Sequence, residues 1–130
     1  MDMRSTRHSK YTINYHLVWI PKYGHPVLTG EVADHLRDIF QIIAEKKGVE
    51  ILSLEIMPDH IHLFISSPPQ NAPSLLVNWF KGISARMYNY WYNQTRIKWT
   101  NSYYVGTAGT VTAETIKRYI ESSGHIEDCL

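Results

Sequence analysis

The chain has one cysteine, no apolar run of membrane-spanning length, no low-complexity segment and no P-loop pattern. Each absence excludes something. Cys129 is next to last and has no second cysteine to pair with, so no intrachain disulfide forms and a reducing compartment is expected. No stretch approaches the ~20 uninterrupted apolar residues that a bilayer span needs, and residues 1–10 are polar and basic, unlike a secretory signal. A soluble, cytoplasmic protein with no membrane attachment and no nucleotide cofactor is the expectation. Acidic residues are also sparse where a two-metal carboxylate cluster would need them. Only five aspartates occur, and Asp2 and Asp128 lie near the ends of the chain.

What is present suits one globular domain over residues 1–130, since 130 residues at 44% hydrophobic content build a single core without staples. A net charge of +1 does not decide for or against nucleic acid, but its distribution is informative. Arg4, Arg7, His8 and Lys10 make the N-terminal arm basic, and Lys81, Arg86, Arg96, Lys98, Lys117 and Arg118 recur through the second half among aromatics. Nine tyrosines and four tryptophans are available for core, interface or stacking against single-stranded nucleic acid.

Residues 11–20 are rich in β-branched and aromatic types and are followed by Pro21, which predicts a first strand ending in a turn. Val32, Leu36, Ile39 and Ile43 recur at helical spacing over 30–47, with Gly48 placed as a C-terminal cap. Residues 49–57 and 61–66 read as two strands reversed at Pro58-Asp59. A second helix is expected over 73–91, presenting Leu76, Trp79, Phe80, Ile83 and Met87 to the core, then a short strand at 102–106. Thr112 can cap a last helix running to about Ser122, with Glu114 in its first turn. The order implies an α+β fold: a ferredoxin-like βαββαβ antiparallel sheet with helices on one face, plus an additional C-terminal helix carrying Tyr119.

The hairpin carries the candidate chemistry. In Pro58-Asp59-His60-Ile61-His62-Leu63-Phe64, alternation sends His60 and His62 to one face and Ile61 and Leu63 to the other. Two imidazoles on one face can converge on a metal ion, although the same pair also reads as two surface histidines. A two-residue turn sets Met57 opposite His60 and Glu55 opposite His62, making Glu55 a third ligand or the partner that orients a ligating histidine. On the last helix Ile116, Tyr119, Ile120 and Ser123 share a stripe beside Lys117 and Arg118. Tyr119 there is either a packing residue or a covalent nucleophile assisted by a metal and cations.

Taken together, Glu55-Ile56-Met57-Pro58-Asp59-His60-Ile61-His62-Leu63-Phe64, then Trp99, Tyr104-Val105-Gly106-Thr107, then Ile116 and Tyr119-Ile120-Glu121, resemble the IS200/IS605-type single-tyrosine transposases. The opening Tyr15-His16-Leu17-Val18-Trp19-Ile20-Pro21-Lys22-Tyr23 resembles their first strand, so the likeness spans nearly the whole chain. It implies cleavage and rejoining of single-stranded DNA at insertion-element ends through a 5′-phosphotyrosine link at Tyr119. It also implies one divalent ion, Mg2+ or Mn2+, held by His60 and His62 and acting as Lewis acid and template. The implied partners are DNA hairpins near the element ends and a second copy of the chain, in a homodimer whose tyrosine helices complete each other's histidine sites. Arg4, Arg7, Lys10, Lys117 and Arg118 are the candidate DNA contacts.

One position departs from the pattern: many relatives carry glutamine four residues after the tyrosine, where this chain has Ser123. The alternatives for a third ligand are Glu55, then Asp59, then Ser123 through a water, or a DNA phosphate oxygen. Three other functions use much the same residues. A non-catalytic hairpin or single-stranded nucleic-acid binding module shares the sheet architecture, but the aromatic strand signature of RNA-recognition domains is missing. A metal-dependent hydrolase would use water in place of Tyr119, and a domesticated endonuclease would process chromosomal repeats with the same site.

Overall fold

The computed structural model describes residues 11–92, 96–107 and 112–128, with 123–128 as backbone alone. Arg4, Arg7, Lys10, Cys129 and the side chain of Ser123 lie outside the described residues.

The first strand, β1, is Ile13–Trp19, and the helix α1 follows at Gly30–Lys47. Its apolar stripe buries Leu36, Ile39, Phe40 and Ile43. Gly48 closes it at φ 69°, a left-handed conformation that glycine adopts without a Cβ clash. Strands β2 (Glu50–Met57) and β3 (His60–Ser67) form the expected hairpin, with an irregularity in register between Ile51 and Ser53. The second helical stretch begins with Pro73 in its first turn and runs as α2 (Pro73–Asn78), a π-helical turn (Trp79–Ile83) and α3 (Ser84–Trp91). Periodicity gave no sign of that π turn, because one widened turn shifts the apolar stripe by a single residue. Strand β4 is Tyr104–Thr107, two residues later at its start than the sequence suggests. The last helix, α4, spans Ala113–Asp128. Thr112 caps it, its Oγ1 accepting the Thr115 N–H at 3.2 Å.

The sheet order is β2-β3-β1-β4 with every neighbouring pair antiparallel, the ferredoxin-like arrangement the element order implies. Leu17 and Trp19 of β1 and Ile61, Leu63 and Ile65 of β3 join Leu36, Ile39, Phe40, Leu76 and Phe80 in one buried core. The rings of Trp19 and Phe40 meet edge to face, with centroids 5.7 Å apart. One face of the sheet is therefore consumed by α1, α2 and α3. The alternate residues on the other face remain for function. Among the described residues, no helix is long and apolar enough to cross a membrane.

Candidate active site

Strand β3 alternates strictly, with Ile61, Leu63 and Ile65 buried and His60, His62 and Phe64 partly exposed on the opposite face. The Pro58-Asp59 reversal sets Met57 against His60 and Glu55 against His62, the register expected of a two-residue turn. Each histidine meets a carboxylate through Nδ1: Asp59 Oδ1 lies 2.9 Å from His60 and Glu55 Oε1 lies 3.2 Å from His62. An acceptor at Nδ1 holds the proton there and leaves Nε2 as the lone-pair nitrogen. This is how carboxylates prepare imidazoles for metal binding.

The neighbouring strand adds a residue to which the sequence alone assigned no role. Pairing of β1 with β3 sets Val18 opposite His62 and His16 opposite Phe64. His16 thus stands diagonal to His62 on the same face, and its Nδ1 lies 2.9 Å from Nε2 of His62. Its ring stacks on Phe64, with centroids 4.1 Å apart and planes 14° from parallel. With the Nδ1 proton of His62 directed at Glu55, the His62 Nε2 accepts and the His16 Nδ1–H donates. A signal was present in the sequence: His16 has the parity opposite to Leu17 and Trp19. The register that sets it diagonal to His62 was not.

Burial lowers the pKa of His16, and the nearby His62 lowers it further. Burial also lowers that of His62, with His60 adding to the effect and Glu55 opposing it through its charge and hydrogen bond. Both rings are accordingly neutral at neutral pH. A histidine whose folded pKa is depressed takes up its proton more readily in the unfolded chain. Stability from this pair is therefore complete above the ordinary value of 6.5 and is lost as pH falls below it toward the depressed folded values. Urea midpoints should be flat above neutrality and drop below pH 6.5, and His16→Phe should shrink that drop. An unchanged slope in the variant would remove His16 from the account.

Tyr119 is placed by α4 and β4. Its ring stands 6.5 Å from that of Tyr104, and its hydroxyl shares a 2.9 Å hydrogen bond with Ser102 Oγ. Tyr104 pairs with Val18, which in turn pairs with His62, so the tyrosine helix and the histidine pair occupy the same end of the sheet. They are separated by the width of β1. The segment leading into β4 is anchored by Lys81, whose Nζ donates to the backbone oxygens of Thr100 at 2.5 Å and Ser102 at 3.0 Å. Lys81→Met keeps the stem and removes the charge-assisted bonds to Thr100 and Ser102. We expect it to cost about 1–3 kcal/mol in urea unfolding, and to leave the His16–His62 contact intact. No loss of stability would show that the anchor is unnecessary.

Lys117 is exposed, and Arg118 pairs with Glu114 one turn earlier at 3.3 Å, both side chains being open to solvent. Such a pair is worth a few tenths of a kcal/mol and does not immobilise the guanidinium. Among the described residues, no group of three or more His, Cys, Asp or Glu side chains is already gathered to hold a metal ion. The donor chemistry still fits a divalent cation, because two imidazoles share one face and each has a carboxylate on Nδ1, which leaves Nε2 as the donor atom.

Residues 9–123 match the family of IS200-like transposases. The chain belongs to that family. This IS200-like transposase is 42% identical over 128 residues to the ISDra2 transposase TnpA of Deinococcus radiodurans, an alignment spanning 94% of this chain and 91% of that protein. It is 32% identical over 126 residues to the transposase for insertion sequence element IS200 of Salmonella typhimurium, spanning 92% and 82% of the two chains. In structure the transposase is similar to a crystallised transposase candidate from Deinococcus radiodurans R1, with TM-score 0.84 and 38% identity over 93% of this chain and 98% of that one. A REP-associated tyrosine transposase bound to a REP hairpin shares the fold, with TM-score 0.56 at 12% identity over 92% and 70% of the two chains.

Proposed function

We propose that this transposase cuts and rejoins single-stranded DNA through a covalent link to Tyr119. The observation that carries the reading is the hairpin geometry: His60 and His62 share a face, and each has a carboxylate on Nδ1. His60 and His62 are the residues that would hold a divalent ion, Mg2+ or Mn2+. When bound, the ion supplies Lewis-acid polarisation of the scissile phosphate. Glu55 and Asp59 serve in this reading as the groups that orient the two imidazoles. The third ligand must then come from elsewhere.

The Tyr119 hydroxyl gives up its proton to solvent as its oxygen attacks phosphorus, a bond forms between them, and the phosphorus–O3′ bond breaks. The departing 3′ oxygen takes up a proton and the 5′ phosphate stays on the tyrosine. In rejoining, a 3′ hydroxyl oxygen attacks the same phosphorus, and Tyr119 leaves and regains its proton. The bond energy is conserved in the covalent link, so no nucleotide cofactor is consumed. Exposed Lys117 and Arg118, two and one positions before Tyr119, are suited to the phosphates flanking the cleaved bond, and Arg4, Arg7 and Lys10 of the basic arm are further candidate DNA contacts.

The DNA partner in this reading is a hairpin near an element end; the fold neighbour is itself bound to a REP hairpin. The working unit is a homodimer in the cytoplasm, with each tyrosine helix serving the histidine pair of one protomer or the other. The separation of Tyr119 from His62 by the width of β1 supports such sharing.

The test is incubation with labelled single-stranded DNA from the ends of the element, with Mn2+ or with EDTA, resolved on a denaturing gel. A protein–DNA band that forms with Mn2+ and not with EDTA supports the reading. Cleavage without a covalent band would favour a water nucleophile, and hairpin binding without cleavage would favour a binding module.

A further inference from the structure

We propose that His16 is the third protein ligand of the divalent cation, completing a set of three imidazoles with His60 and His62. The inference rests on the two-histidine reading given above. It starts from a vacancy in the ligand set. Glu55 and Asp59 are spent on the Nδ1 atoms of His62 and His60, and position 123 carries a serine, a short side chain for this purpose.

Nδ1 of His16 lies 2.9 Å from Nε2 of His62, the atom that would face the metal. Two nitrogens bound at right angles to one cation by bonds of ~2.1 Å lie ~3.0 Å apart. The two imidazoles therefore already have the spacing of adjacent ligands. At present a hydrogen bond joins them.

The His16 ring is also held. It stacks on Phe64, whose backbone pairs with that of His16, while His62 is braced from the other side by Glu55. Both strands lie in the interior of the four-stranded sheet, so neither backbone is free to drift. Inserting a cation requires the proton between the rings to leave His16 Nδ1. Transfer to Nε2 of the same ring is a tautomer change with no net proton release. His60, which is not yet gathered with the other two, completes the set by turning about its side-chain torsions with its Asp59 partner.

Three imidazoles favour a softer ion over Mg2+. Calorimetric titration of the full chain with Mn2+ in the absence of DNA tests this, using wild type, His16→Ala, His16→Gln and His62→Ala, with thermal melts to confirm folding. His16→Gln keeps the bulk of the ring should His16→Ala fail to fold. Mn2+ affinity should fall at least ~10-fold in both His16 variants, the least that even an outer-shell change costs. Pulsed EPR of bound Mn2+ should count three coordinating nitrogens in wild type and two in the His16 variants.

Loss of binding in His62→Ala with unchanged affinity in both His16 variants would overturn the proposal and leave the two-histidine site standing. Tighter binding in the His16 variants would also overturn it, identifying His16 as a competitor for the His62 lone pair. Wild-type affinity in His62→Ala would end both readings.

Discussion

Tyr119→Phe should eliminate the covalent protein–DNA band and strand cleavage while leaving hairpin binding at wild-type affinity. The substitution removes one oxygen and keeps the ring that stands against Tyr104. Its hydrogen bond to Ser102 Oγ is solvent-exposed, and losing such a bond costs about 1 kcal/mol. Removing a nucleophile that no neighbouring group replaces lowers turnover by on the order of 10³- to 10⁶-fold. The contrast between a large loss in chemistry and a small loss in stability is what separates a nucleophile from a packing residue. A denaturing gel, a gel-shift titration and a melting curve read the three quantities. Covalent product from the variant would transfer the nucleophile role elsewhere.

His62→Ala should strip the cation and the activity together, and its effect should exceed that of His60→Ala. His62 is the centre of the cluster, in contact with Glu55 at 3.2 Å through one nitrogen and with His16 at 2.9 Å through the other. Deleting it would remove a ligand of the proposed site and leave both partners without the ring that joined them. Changing an outer-shell partner lowers affinity about 10- to 100-fold, so loss of the ligand itself should fall beyond that range. Glu55→Gln gives the internal scale, since an amide oxygen still accepts the Nδ1 proton without the charge and should fall at or below the low end of the range. Calorimetry with Mn2+ and the cleavage gel check both variants. Metal-dependent cleavage retained in His62→Ala would defeat the assignment.

The residues that matter divide by how far apart they are in the chain. His60, His62, Glu55 and Asp59 were legible because they sit on one hairpin, where a two-residue turn dictates register and a period of two dictates the shared face. The helix at Gly30–Lys47 was legible for the same reason, its apolar residues and its glycine cap being neighbours in the chain. The π turn at Trp79–Ile83 was not, because it changes one backbone turn and leaves the apolar spacing nearly intact. The start of β4 was misplaced by two residues, since Ser102 and Tyr103 have the composition of a strand while their neighbourhood is set by Lys81 from another element.

Local pattern therefore determined the elements, the paired histidines and the face they share, because alternation, capping and turn chemistry act between residues a few positions apart. Only tertiary structure decided that His16 meets His62 across 46 positions and that Tyr119 stands on the β4 side. Which side chains meet across the sheet depends on burying the apolar faces of α1, α2, α3 and the sheet all at once, a condition that no single segment of the sequence carries.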